Sequence, residues 1–132
     1  MLKILPLFAL TLAMFAVIDG LFINFVALRW YREYLPHLIS GTFSIAPAVL
    51  FYLVYISGLL YFVIMPALAS GTPVSDVFVR GFLLGLFAYA TYDLTNQVLL
   101  RDWPWFITLT DIAWGALVTG TVASAVVAVM KN

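Results

Sequence analysis

Long apolar stretches alternate with short polar breaks along this chain, and each stretch is long enough to cross a membrane. The first runs from Ile4 to Leu28 and is interrupted by Asp19 and Asn24. The second, from about Ile45 to Leu68, carries no formal charge. The third runs from Val77 to Leu100, with Arg80 near its start and Asp93 deep inside. The fourth runs from Phe106 to Met130 and holds Asp111. A hydrocarbon core about 30 Å thick takes roughly 20 helical residues at 1.5 Å each. The pattern therefore predicts an all-α integral membrane bundle, one domain over residues 1–132, with transmembrane helices at about 4–28, 45–68, 77–100 and 106–130. An even number of crossings puts both termini on the same side.

The breaks carry turn chemistry. Trp30 to Thr42 is polar and contains Arg32, Glu33, Pro36, His37 and Gly41. Ser70-Gly71-Thr72-Pro73 is a turn, and Ser75 or Asp76 suits the cap of the next helix. Arg101 to Trp105 is short, so helices three and four form an antiparallel hairpin, with Pro104 fitted to a first turn. Lys3 before an apolar run imitates a signal peptide. That run continues past Asp19 and Gly20 to Leu28 with no small-x-small cleavage site, so it reads as a retained helix.

Composition strengthens the membrane reading. The chain is 65% hydrophobic and 9% charged, whereas a soluble domain is about half apolar and a quarter charged. A net charge of zero offers nothing to nucleic acid. There is no cysteine and one histidine, His37. Disulfides, thiol catalysis, iron–sulfur clusters and histidine-built metal sites are excluded, and no cofactor is expected. Lys3, Lys131 and Arg80 on one side balance Arg29, Arg32 and Arg101 on the other. The positive-inside comparison is a tie. The side bearing the termini is taken as cytoplasmic, with a dual-topology homodimer as the alternative.

Depth turns scattered polar residues into a constellation. Asp19 precedes Leu28, Asp93 precedes Leu100, and Asp111 follows Phe106. These offsets put them roughly 14, 10 and 8 Å below the face opposite the termini. All three carboxylates thus belong to one half of the bilayer, with Asn24, Asn96, Gln97 and Trp114. The connectors above supply Arg29, Arg32, His37 and Arg101. Tyr89, Asp93, Asn96 and Leu100 share one helical face, as do Asp111, Trp114, Gly115 and Val118. A charged carboxylate facing lipid costs about 3 kcal/mol or more, so each Asp is expected to point inward. There it must be paired, hydrogen-bonded or protonated. Arg29 and Arg101 are the nearest candidate charge partners.

Small residues mark close helix approach: Gly81 with Gly85, and Ala116, Gly120, Ser124 and Ala128. Both sets lie toward the termini, which predicts a bundle tight on that side and open on the other. Trp30, Tyr31, Tyr34, Trp103 and Trp105 form an interfacial belt, read first as anchors. Tyr52, Tyr55, Tyr89 and Tyr92 suit either core packing, with hydroxyls on the Asp and Asn side chains, or the walls of a ligand pocket.

Tyr92-Asp93-Leu94-Thr95-Asn96, then Trp103-Pro104 and Asp111-Ile112-Ala113-Trp114-Gly115, with Ala48 to Tyr55 in the second helix, resemble a family of small bacterial membrane proteins known as domain of unknown function 2177. The likeness spans nearly the whole chain. It departs in the first helix, where the family favours Trp-Leu soon after an Asp and this chain has Gly20, Leu21 and Phe22 after Asp19. The resemblance implies a four-helix fold in the bacterial inner membrane and gives weight to Asp93, Asn96, Asp111 and Trp114. It implies no reaction.

Several functions fit this pattern. The first is binding or handling of a lipid or other hydrophobic small molecule, with Asp19, Asp93, Asp111 and Asn96 holding its polar end. A structural or assembly subunit with paired buried charges is a second. A small proton- or cation-coupled transporter working as a dimer is a third. An enzyme is disfavoured. Paired Asp residues allow acid–base chemistry, but the chain has no Ser–His signature, metal cluster or phosphate loop.

Overall fold

The structure is a computed structural model that describes residues 3–132. It has four long helices, each long and apolar enough to span a membrane: α1 (Ile4–Tyr34), α2 (Ile45–Ser70), α3 (Val74–Leu99) and α4 (Trp105–Lys131). The protein is an integral membrane protein, and its many exposed Leu, Val and Phe side chains are the surface that lipid covers.

The largest departure from the sequence boundaries is in α1. It continues beyond Leu28 through Arg29, Trp30 and Tyr31 to Tyr34, taking in residues assigned above to the first connector. Nothing in Arg29–Tyr34 breaks a helix. The break comes from Pro36, which disfavours helical geometry at the residue before it, and Leu35 leaves the helix at φ −132°. Leu35 is fully buried with Trp103 and Ile107, which pins the extension to the α3–α4 turn. α3 also begins three residues earlier than expected, at Val74, because Pro73 supplies its start. α2 ends at Ser70, followed by Gly71 in the left-handed conformation (φ 67°). In the α3–α4 turn, Asp102 takes a similar φ of 59°, which Asp tolerates better than most residues.

α1 and α2 each contain one π turn. In α1 it covers Ile23–Ala27, where the Leu28 N–H donates to the Ile23 carbonyl five residues back. In α2 it covers Leu60–Ile64, with the Met65 N–H on the Leu60 carbonyl. A π turn accommodates one extra residue and rotates everything beyond it.

α4 is the central helix. Half of its most apolar window is buried, against 17% for α3. Its tightest partner is α3, and the seam is made of glycine. A Cβ on Gly81 would lie 2.9 Å from the Thr119 carbonyl oxygen and 3.0 Å from the Ala123 Cβ. One on Gly120 would lie 2.9 Å from the Phe78 carbonyl oxygen. Gly115 and Thr119 face Gly85. The expected stripe is thus displaced: the atoms nearest the α3 glycines belong to Gly115, Thr119, Gly120 and Ala123.

The aliphatic core lies toward the termini. It joins Leu7 and Phe15 of α1 to Ile56, Leu59, Ile64 and Ala67 of α2 and to Val118, Val122 and Val126 of α4. α2 enters this core late. Residues 41–51 are all exposed, and Ile56 is the first fully buried side chain of the helix. The start of α2, up to Phe51, therefore packs little against the other helices, and a cavity lies behind it.

Candidate functional site

The cavity holds about 550 Å³ and is bounded by all four helices. α1 supplies Asp19, Phe22, Ala27 and Tyr31. α2 supplies Phe51 and Tyr55, and Ile39 comes from the connector before it. α3 contributes Ala88, Tyr89 and Tyr92, and α4 Asp111 and Trp114. Phe51 and Tyr92 line the cavity and are also exposed. These two side chains, one on α2 and one on α3, join the cavity to the outer surface of the bundle.

Tyr55 lines the cavity, and the buried Phe15 packs behind it. The Tyr55 hydroxyl is 2.7 Å from the Thr119 hydroxyl oxygen. Its ring meets Phe15 edge-on at 5.4 Å and Tyr89 edge-on at 6.0 Å. Tyr89 lies directly over Gly115, where any Cβ would collide with its ring. The glycine that lets α3 approach α4 thus also seats a wall of the cavity. On the opposite side Phe22 stacks on Trp114 at 4.0 Å, nearly parallel.

Asp19 is 3% exposed and is held by two neutral donors. Tyr52 Oη–H donates to Oδ2 and Trp114 Nε1–H to Oδ1, each at 2.9 Å. The Tyr31 hydroxyl donates to Asp111 Oδ2. Asp93 is fully buried, and neither of its oxygens meets a donor among the described residues. The nearest ionisable group to it is another carboxyl, that of Asp111.

The structure thus brings Asp19, Asp111, Tyr55, Tyr89, Tyr92 and Trp114 together around one space, with Tyr52 and Asp93 immediately behind it. Asn24 is not among them. Its side chain is exposed and donates to the Gly20 carbonyl at 2.8 Å, so it serves its own helix. Asn96 lies outside the lining. Arg29 and Arg101 are exposed and are not among the partners of Asp19 and Asp111, which neutral donors supply instead.

Tyr31, assigned above to the interfacial belt, belongs to the site. It stands twelve positions after Asp19 (31 − 19). In an unbroken α-helix that offset rotates it about 120° from the Asp19 face. The π turn at Ile23–Ala27 absorbs one residue, leaving an effective eleven and a rotation of only about 20°. Replacing Tyr31 by Phe should strand Asp111 and lower stability by about 1.5–3 kcal/mol, the contribution of a hydrogen bond to a charged group. Thermal unfolding of the purified variant against the parent measures it, and an unchanged midpoint would contradict the assignment.

Gln97 of the polar half and Trp103 of the belt meet in a second polar network, with Thr108. Gln97 donates from Nε2 to the Trp103 carbonyl and accepts from the Thr108 hydroxyl, both at 2.8 Å. Trp103 Nε1–H donates to Thr108 Oγ1 at 3.1 Å. Gln97 lies one turn beyond Asp93, and that spacing was the available signal. The network clamps the α3–α4 turn above the cavity.

A four-span bundle with an acidic, aromatic cavity among its helices defines the class: an integral membrane protein with a cavity between its spans. The family model described as predicted membrane protein (DUF2177) matches residues 4–128, and the chain belongs to that family. No curated protein and no solved structure matches it.

Proposed function

We propose that this protein binds a hydrophobic small molecule or a single-tailed lipid that enters from the bilayer between α2 and α3. The observation that carries this reading is the cavity itself. Its 550 Å³ falls within the range of small-molecule sites, and its walls are apolar with a few convergent polar groups. Its opening lies where a membrane-dissolved ligand would arrive, beside the exposed Phe51 and Tyr92. The apolar body would lie on the rings, and the polar end would reach Asp19 and Asp111.

A structural subunit with paired charges fits less well, because the carboxyl partners found here carry no positive charge. We place the protein in a bacterial inner membrane, where helical bundles are the norm and β-barrels are not.

Ala88 lines the cavity and is the smallest side chain α3 places there. Ala88→Trp should fill the space and abolish co-purification of any ligand while leaving the α3–α4 seam intact. Native mass spectrometry of the parent and variant in nanodiscs checks this. Equal retained mass in both would reject the pocket.

A further inference from the structure

We infer that the molecule this cavity takes is an organic cation, a protonated amine or quaternary centre on an apolar body, with its charge set beside Asp19 and Asp111. The inference rests on the pocket proposed above and names the chemistry of its occupant.

Charge balance carries the argument. The lining holds two carboxyls and no lysine, arginine or histidine. The groups that bond those carboxyls are the hydroxyls of Tyr31 and Tyr52 and the indole N–H of Trp114, which orient them without neutralising them. A buried carboxylate without a cation is expensive, and a cationic ligand would offset that cost. An anionic headgroup would be repelled at the same place.

Two further observations point the same way. Asp93 is fully buried with both oxygens lacking a donor, and it backs Asp111 from the protein side. It adds a third acidic group where no basic one offsets it. The walls are also the surfaces on which cations settle. Phe22, Tyr55, Tyr89 and Trp114 all line the cavity that holds both carboxyls, and aromatic rings attract cations.

The test uses the full chain in nanodiscs, with empty nanodiscs as background, and three probes of similar shape. Tetraphenylphosphonium is the cation, tetraphenylborate the anion and triphenylmethane the neutral control. The expected result is saturable binding of tetraphenylphosphonium and none of tetraphenylborate. Asp111→Asn and Asp19→Asn should each weaken the cation by about 30-fold or more, as for loss of one partner of a buried charge pair. Asp111→Glu keeps the charge and should retain binding, which separates charge from folding. Size-exclusion profiles and helical content are compared for every variant. Binding of the neutral probe with equal affinity, unaffected by either Asn variant, would overturn the cation and leave the pocket standing. Saturable binding of tetraphenylborate would also overturn it. If no probe binds, the cation inference fails. If Ala88→Trp also leaves co-purified mass unchanged, the pocket fails with it.

Discussion

Replacing Gly85 by Val should abolish the folded bundle. A Cβ at this position would run into the backbone carbonyl of Gly115 and would lie 2.7 Å from the Thr119 hydroxyl oxygen. Neither can yield cheaply, because one is main chain in the middle of α4 and the other is bonded to Tyr55. Overpacking in a well-filled core costs about 1–3 kcal/mol, and more where backbone must move. Here α3 would be driven off α4, the central helix. Gly58 is the control: a Cβ there meets nothing within 4 Å, and Gly58→Ala should leave the protein intact. Folded yield after extraction and the midpoint of thermal unfolding distinguish the two. Near-parental stability of Gly85→Val would show that the seam is looser than drawn.

The second large effect concerns single-residue deletions in α1. Phe25 lies in the π turn and is 72% exposed. Removing it converts the turn to ordinary α-helix and leaves Tyr31 eleven positions from Asp19, about 20° from its face. This deletion should be tolerated, with the Tyr31–Asp111 bond kept. Val17 is similarly exposed, at 61%, but stands in regular helix between Phe15 and Asp19. Its deletion rotates the two halves of α1 by about 100° against each other. Either Phe15 leaves the core or Asp19 leaves Tyr52 and Trp114, and the protein should not fold stably. Unfolding midpoints and ligand retention for the two deletions give the answer. Equal loss in both would refute the register argument.

These expectations rest on different layers of information. That four segments cross the membrane was legible from the apolar runs alone, because the bilayer sets their length and penalises charge. The gathering of Asp19, Asp93 and Asp111 at one depth was equally legible, since depth follows from counting at a fixed rise. The inward aim of Asp93 and Asp111 followed from periodicity and from the cost of showing a carboxylate to lipid. Tertiary structure decided the rest. Asn24 turned outward because a neutral amide can bond its own helix at Gly20 and needs no interior partner. Arg29 and Arg101 gave way to Tyr31, Tyr52 and Trp114, because aromatic donors reach the carboxyls from within the bundle while the arginines stay exposed above it. Tyr31 joined the site through a π turn that no composition signals, since one absorbed residue changes a face without changing the apolar run. The cavity depends on the start of α2, up to Phe51, packing little against the other helices. Sequence could place its walls at one depth, but only packing determined that they enclose a space.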